Sequence, residues 1–371
     1  MKILQLGKFY PIRGGVEKVM YDLMIGLSQE GVFCDMLCAT TEGHPGGELL
    51  INNFGKVVAI PTKIKLAATM IAPGMITWLR KNARFYDIIH IHHPDPMACL
   101  ALYCSGYKGK VVLHWHSDIL KQKTLLKFYS PLLNWMIRRA DLILGTSPVY
   151  VKESPFLAHV QAKIDFLPIG VDPVVADSKE VRKIRDRYHG KKIVFSLGRL
   201  VAYKGYEYLV KAAVHLPDDY MVVIGGTGPL LEPLRSLIEE LGVSRKVELI
   251  GFVSDEELPA YFHACDLFCL SSVLKTEAFA IVQIEAMSCG KPVVSTRIPG
   301  SGVSWVNQHK LSGLTVEPGD DLALAEAFVQ ILNDSDFYQN LSQGATARFE
   351  SYFTAQEMIK QCMVRYNQLF K

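Results

Sequence analysis

No apolar run in this chain reaches the roughly 18 residues needed to cross a bilayer. The longest uncharged one, Leu66 to Leu79, has 14 residues and is broken by Pro73-Gly74. Only five uncharged residues separate Lys2 from Lys8, too few for the apolar region of a secretory leader, so a cytoplasmic location is expected. There is no low-complexity tract and no basic, aromatic-interleaved stripe, so nucleic acid is not an expected partner. The eight cysteines include the close pairs Cys34/Cys38 and Cys265/Cys269, but no further Cys or His pair stands at zinc spacing. They are expected to be reduced, buried small side chains. A Walker loop, a Gly-x-Gly-x-x-Gly turn and a His-Glu-x-x-His helix are all missing, which removes the simplest grounds for nucleotide hydrolysis, nicotinamide binding and zinc hydrolysis.

What is present fits an ordinary globular protein, with 49% apolar and 21% charged residues. At 371 residues the chain exceeds the size at which one core keeps growing, so two domains are expected. The net charge of +3 is unevenly shared. Residues 1–170 hold 19 Lys and Arg against 12 Asp and Glu, a net +7, and the remainder is net −4.

Short apolar runs alternate with helical patterns, which predicts βαβ units and parallel sheets. Strands are expected at Lys2–Gly7, Phe33–Thr40, Lys56–Pro61, Asp87–His92, Lys110–His116 and Asp141–Ser147. A helix should begin at Gly14-Gly15, with Val16, Val19, Met20, Leu23, Met24 and Leu27 on one face and Gly31 at its end. The passage Leu167–Pro173 and the charged stretch Asp177–Arg187 read as a linker. Beyond it, strands are expected at Lys192–Leu197, Tyr220–Gly225, Lys246–Phe252, Asp266–Ser271, Pro292–Thr296 and Gly313–Val316, and helices at Asp321–Asn333, Asp336–Glu350 and Thr354–Phe370. The expected architecture is α/β: two Rossmann-like, doubly wound parallel-sheet domains, residues 1–170 and 171–353, facing a cleft. The helix at about 354–371 is expected to pack back on the first.

Residues suited to chemistry cluster where strands give way to helices, the usual ligand edge of such sheets. Gly14-Gly15 would bring backbone N–H groups to an anion, or simply make a turn. Arg199 and Lys204 follow a strand and could counter a diphosphate, although each alone also reads as a surface cation. Gly226 and Gly228 offer bare backbone after the next strand. At Phe252-Val253 backbone groups could meet a base edge, with the Phe252 side chain expected in the core. His90 and His92 share a strand face, so a metal site is conceivable, and a hydrogen-bonding role at a strand end is the alternative. Of the histidines, His116 lies nearest the expected cleft. Asp334-Ser335-Asp336 has the Asp-x-Asp pattern of some metal sites but joins two helices, and is expected to cap one. Glu277 and Glu285, eight apart, place one carboxylate in a loop and one on a helix. Alone they also fit a solvated helix face.

Taken together and in order, Gly14-Gly15, His116, Arg199, Lys204, Gly226, Gly228 and Glu277-x7-Glu285 resemble the family 4 retaining glycosyltransferases of the GT-B fold, across nearly the whole chain. The most specific part runs from Glu277 through Gly290-Lys291-Pro292-Val293-Val294. The resemblance implies that Arg199 and Lys204 hold the diphosphate of a nucleotide sugar, Glu285 the ribose hydroxyls and Glu277 the hydroxyls of the transferred sugar. It places the backbone amides of Phe279, Ala280 and Ile281 at the donor, His116 near the sugar and β-phosphate, and Gly15 near the phosphate. Ala278 and Ala280 stand where the family usually has glycine, a sterically small departure. Gly300-Ser301-Gly302 replaces a Gly-Gly followed by glutamate.

The expected activity is therefore metal-independent, retaining hexosyl transfer without a cofactor, with GDP-mannose favoured over a UDP-sugar. The acceptor would be a glycan or polyprenyl-linked glycan in cell-surface polysaccharide synthesis. A GT-B-fold sugar-nucleotide epimerase and a non-catalytic sugar-nucleotide binding module use the same donor pocket and stay open. The +7 first half would also suit an anionic membrane surface on the inner face of the cell membrane, with Leu66–Leu79 and Arg80, Lys81 and Arg84 as the contact. A core helix with a solvated end is the alternative for that segment.

Overall fold

Strands such as Phe33–Thr40 and Ile88–His93 are buried along nearly their whole length, with no polar face, as parallel strands covered on both sides are. The computed structural model describes residues 1–12, 14–66, 69–119 and 123–371. They divide into two units, Met1–Gly170 with Ala355–Lys371, and Val171–Thr354. Each carries its own sheet.

In the first unit the strands are β1 (Lys2–Tyr10), β2 (Phe33–Thr40), β3 (Gly47–Asn52), β4 (Gly55–Ile60), β5 (Ile64–Leu66), β6 (Thr69–Ile71), β7 (Ile88–His93), β8 (Lys110–Trp115), β9 (Leu142–Gly145) and β10 (Ile164–Phe166). Eight of them form one sheet in the order β10-β9-β8-β7-β1-β2-β4-β3, and β5 and β6 pair as a separate hairpin. All pairs of the large sheet are parallel except β3 with β4. The strand order reverses between β1 and β7, so the ligand edge of this unit lies at their carboxyl ends. The helices α1 (Val16–Gln29), α2 (Gly74–Asn82), α3 (Pro96–Ser105) and α4 (Lys123–Arg139) join the strands. On α1 the expected apolar face is buried, apart from half-buried Val16, and Gly31 takes the left-handed φ of +76° just beyond the end. The helix Ala355–Gln368 closes onto α1 at Gly26. There a Cβ would lie 1.9 Å from Ile359 Cδ1, so any larger residue would have to displace the Ile359 side chain where the two helices meet.

The second unit holds β11 (Lys192–Leu197), β12 (Tyr220–Gly225), β13 (Val247–Gly251), β14 (Leu267–Leu270), β15 (Val293–Thr296) and β16 (Gly313–Val316). They form a parallel sheet in the order β13-β12-β11-β14-β15-β16, with its switch between β11 and β14. Buried Phe195, Phe262 and Phe268 pack edge to face or tilted on one another in its core.

Three expectations need correcting. The charged stretch Asp177–Arg187 is not linker: Ser178–Arg187 is a helix capped by Asp177, whose side chain accepts from Lys179 N–H. The Arg185 guanidinium forks onto Asp266 at 2.8 and 3.0 Å, a bidentate anchor that periodicity cannot reveal. Leu66–Leu79 is not one helix: it runs from the β5–β6 hairpin into α2, because Pro73-Gly74 starts the helix, and residues 67 and 68 lie outside the described residues. Of the cysteines, all free, Cys104 and Cys289 are half-buried instead of fully so. Asp334 does cap a helix, accepting from Phe337 N–H at 2.9 Å. Among the described residues no helix is long and apolar enough to cross a membrane.

Candidate active site

After β11 the chain passes Gly198-Arg199 into a 3-10 turn, Ala202–Lys204, and then through Gly205 at φ +64°. A Cβ on Gly205 would stand 2.3 Å from Ser271 O, so glycine is required where this turn meets the end of β14. The two segments are fastened together: Ser271 Oγ donates to Lys204 O at 2.9 Å, and Val273 N–H to Tyr203 O at 2.8 Å. The result is an ion pair at the switch point of the sheet. Lys204 Nζ lies 2.7 Å from Glu277 Oε2, with side chains 12% and 10% exposed, and Ser272 Oγ donates to the same carboxylate oxygen at 2.9 Å. So little solvent makes the attraction stronger than at a surface and fixes both side chains.

The Gly300-Ser301-Gly302 segment holds this loop from the other side. Ser301 Oγ donates to Glu277 O, and Gly302 N–H donates to Ala278 O at 3.0 Å. The departure from the family pattern at this segment thus supplies an anchor for Glu277. The hydrogen bonds of Ser271 and Ser272 escaped the sequence reading, and Ser301 was named only as part of its glycine segment, because serines carry no periodic or spacing signal.

Phe279 and Ala280 are buried and lead into the helix Ile281–Ser288, whose preceding residue Ala280 has φ +64° and ψ 83°. The substitution of glycine by alanine here is therefore conformational in its cost, not merely steric: an L-residue in the left-handed region loses about 1–2 kcal/mol. Strain of this kind concentrates at ligand-holding turns. Glu285 is half-buried on this helix, and Gln283 Nε2 donates back to Phe279 O at 3.0 Å.

Gly226 and Gly228 serve the protein's own backbone. A Cβ on Gly226 would be 1.9 Å from Gly198 O, and one on Gly228 2.4 Å from Leu200 O. The loops after β11 and β12 can touch only because both side chains are missing. Arg199, in the first of these loops, has an exposed side chain and is not drawn into the Lys204–Glu277 pair. Phe252 overturns its expected core position, being 76% exposed, while Val253 is buried. Gly251, with φ +73°, turns the chain as β13 ends, before Phe252 can enter the core.

In the first unit, β7 carries His90 and His92, β8 carries His114, and His116 follows directly on β8, all four buried. The rings stack, His90 on His92 at 4.7 Å, His92 on His116 at 5.2 Å and His114 on His116 at 4.0 Å between centroids. A metal ion lies in the plane of each imidazole that binds it, and near-parallel stacked planes do not meet at one ion. His90, His92 and His114, whose ligand atoms lie within 4.8 Å of one another, are thus poorly arranged to share one.

Hydrogen-bond directions fix the tautomers instead. Gln5 Nε2 donates to Tyr366 OH at 3.2 Å, so Gln5 Oε1 accepts from His92 Nε2–H at 2.8 Å. His92 Nδ1 must then accept from His116 Nε2–H at 2.9 Å. This leaves His116 Nδ1 as an acceptor with no partner among the described residues. Burial, reinforced by the neighbouring imidazoles and Lys8, pulls His116 well below its ordinary pKa and keeps it neutral. Gln5 and Tyr366 were missed from sequence because they meet the histidines across 87 and 276 residues of chain.

At the carboxyl ends of β1 and β7, Lys8 N–H bonds the Asp95 carboxylate and Lys8 Nζ donates to Pro94 O. Burial pulls Lys8 down and pushes Asp95 up, each partly offset by the other's charge. Gly14 (φ +121°) and Gly15 (φ +64°) follow, and Gly15 is the N-cap of α1. Among the described residues, its chain neighbours apart, no atom lies within 4 Å of a Cβ built on Gly14, so that side of it faces open space.

The chain matches the family Glycosyltransferase Family 4 over residues 13–175 and the family Glycosyl transferases group 1 over residues 177–348. The O-antigen chain mannosyltransferase C of Escherichia coli is 31% identical over 375 residues, covering 100% of this chain and 99% of that protein. The D-rhamnosyltransferase WbpZ of Pseudomonas aeruginosa is 29% identical, covering 96% and 93%. Among solved structures, Anabaena Alr3699/HepE in complex with UDP superimposes with a TM-score of 0.79 at 20% identity, over 99% of this chain and 100% of that one.

Proposed function

Because the chain belongs to the family 4 glycosyltransferases of the GT-B fold, we propose that it transfers a hexose from a nucleotide diphosphate sugar, GDP-mannose before a UDP-sugar, to a glycan or polyprenyl-linked glycan acceptor with retention of configuration. The observation that carries this reading is the shielded Lys204–Glu277 pair at the β11/β14 switch point, flanked by glycine-built loops. A mannosyl donor is favoured by the relative named as an O-antigen mannosyltransferase.

In this reading Lys204 and Arg199 counter the charge that builds on the departing diphosphate, work otherwise given to a metal ion. Glu277 binds hydroxyls of the transferred sugar and holds Lys204 in place, and Glu285 binds the ribose. The amides of Phe279, Ala280 and Ile281 meet the donor where the helix Ile281–Ser288 begins. Gly226, Gly228, Phe252 and Val253 border the nucleotide, and Gly14 and Gly15 offer N–H groups to phosphate. His116, neutral and donating to His92, is assigned a place near the transferred sugar and the β-phosphate, with its Nδ1 buried in the ring stack. No covalent nucleophile is assigned. The acceptor hydroxyl attacks on the face the phosphate leaves, and the β-phosphate takes its proton.

The test offers a panel of nucleotide sugars with prenyl-diphosphate-linked glycans, reading nucleotide release and product anomeric configuration, with and without chelator. Release of GDP with an α-linked product, unchanged by chelator, is the expected result. An inverted product, donor epimerised without acceptor, or donor bound and never consumed would each overturn it.

A further inference from the structure

Arg348, on the helix Ser335–Tyr352 of the second unit, carries a charge that no acid answers. Among the described residues no carboxylate pairs with it, and burial pulls its guanidinium below the ordinary pKa. Its fork is spent on one short piece of chain: Nε donates to Val306 O at 2.8 Å, Nη2 to Trp305 O and Nη1 to Gln308 Oε1 at 3.3 Å. The guanidinium also lies 5.2 Å from the ring centres of Trp305 and Tyr352 and 5.6 Å from that of Phe353. Trp305 and Val306 end the helical turn Val303–Val306, so their carbonyls lack partners within it, and the arginine supplies them. Lysine, a point donor on a flexible stem, could not fork onto two carbonyls and lie against rings at once.

The front of the same turn is what holds Glu277. Trp305 N–H and Val306 N–H donate back to Gly302 O at 3.0 and 2.9 Å, Gly302 N–H donates to Ala278 O at 3.0 Å, and Ser301 Oγ donates to Glu277 O. Hydrogen bonds thus run without a break from Arg348 to the backbone of Glu277. A second route passes through rings. Trp305 meets Phe353 edge on at 5.7 Å, and Phe353 meets Phe279 edge on at 5.9 Å, with Phe353 and Phe279 both buried. Phe279 stands two residues beyond Glu277, so both routes end on one loop.

We propose that Arg348 is a positioning residue for the donor sugar: through the turn Val303–Val306 and through Phe353 it fixes the loop from Glu277 to Phe279, and with it the carboxylate that meets the sugar hydroxyls. This rests on the sugar-binding role read above for Glu277. Arg348 touches no substrate in this arrangement and acts only through the loop it holds.

The test compares the full-length parent with Arg348→Met, Ser301→Ala and the double variant, reading hydrogen exchange without ligand in peptides covering residues 274–283 and β11. Arg348→Met is expected to speed exchange of the loop roughly tenfold while β11 stays within about twofold. No change in the loop, or equal change in both, overturns the proposal, the second by making Arg348 a general stabiliser. Ser301→Ala cuts the same route, so its effect should be smaller in the Arg348→Met background than in the parent, and equal effects in both backgrounds overturn the shared route. Should Arg348→Met fail to fold, Arg348→Lys, which keeps charge and stem but not the fork, is read in the same way. By calorimetry, Arg348→Met should lose roughly tenfold in affinity for GDP-mannose but no more than about threefold for GDP, which lacks the sugar that Glu277 meets. Equal losses for both ligands overturn the assignment to the sugar. If the parent turns over no nucleotide sugar, the proposed transfer fails, while exchange still decides whether Arg348 holds the loop.

Discussion

Lys204 and Glu277 meet at 2.7 Å across the point where the second sheet reverses its strand order, and Ser272 donates to the same carboxylate. Neither side chain reaches bulk solvent freely, so the pair is a structural unit as well as a proposed chemical one. Removing one partner leaves a shielded charge without its counterion, which costs about 3 kcal/mol or more. Replacing both by apolar groups of similar size removes that penalty. Glu277→Ala is therefore expected to lower the unfolding free energy of this unit by roughly 3 kcal/mol. Lys204→Met/Glu277→Met should recover most of that loss yet turn over donor at least ~100-fold more slowly than the parent, since the charges facing the diphosphate and the sugar are gone. Denaturant titration and nucleotide release check the two halves. Single variants costing under about 1 kcal/mol would show the pair to be an ordinary surface contact.

Ala280 offers a variant expected to gain stability. Its φ of +64° is native to glycine and costs an L-residue about 1–2 kcal/mol, against which glycine loses some tenths to one kcal/mol of unfolded-chain entropy. Ala280→Gly should raise the midpoint of thermal unfolding by about 1–3 °C and leave donor affinity within twofold. Ala280→Val, branched at Cβ, should instead lower it. A lower midpoint for Ala280→Gly would mean that contacts of the methyl group outweigh the backbone term.

Glycine also decides whether two loops can coexist. With a Cβ on Gly226 only 1.9 Å from Gly198 O, Gly226→Ala must push apart the loops after β11 and β12, and no flexible side chain can yield in their place. A loss of at least ~3 kcal/mol is expected, together with weaker nucleotide binding by equilibrium dialysis. Gly14→Ala makes the contrast. Among the described residues a Cβ there meets nothing within 4 Å, so its cost comes from its φ of +121°, and stability should fall by about 1–3 kcal/mol.

These positions show where a sequence is readable. Phe33–Thr40, Lys192–Leu197 and Tyr220–Gly225 are strands at the expected bounds because buried parallel strands read as unbroken apolar runs ended by turn residues. The two doubly wound sheets follow from such runs alternating with helical patterns. The hairpin β5–β6 and strand β10 hold only three residues each, too few for a period of two to register, and β3 is mostly exposed and antiparallel, so it lacks the burial signature of its neighbours. Within the site, Lys204 and Glu277 stood out as charges at strand-to-helix passages. Ser272 and Ser301, and the Gln5–His92–His116 chain, did not, because their meaning lies in long-range contacts.

The stacked histidines make the first unit acid-sensitive. Burial lowers His90, His92, His93 and His116 well below their ordinary pKa, and lowers His114 to about 3. In the unfolded chain each titrates near 6.5, so as pH falls below that value the unfolded state takes up protons that the folded state refuses. The stabilisation is therefore fully present above pH 6.5 and is lost progressively as pH falls toward the folded values, by up to about 1.4 kcal/mol per pH unit for each histidine. Hydrogen exchange in peptides covering β7 and β8, compared at pH-corrected rates from 7.5 down to 5, should show opening that grows steeply below 6.5. His114 has no hydrogen-bond partner on either ring nitrogen among the described residues, so His114→Phe keeps the stack and removes one proton site. Its slope should be shallower by about one histidine's share, with the neutral-pH opening nearly unchanged. A slope identical to the parent's would mean that His114 is protonated inside the fold, contrary to its burial.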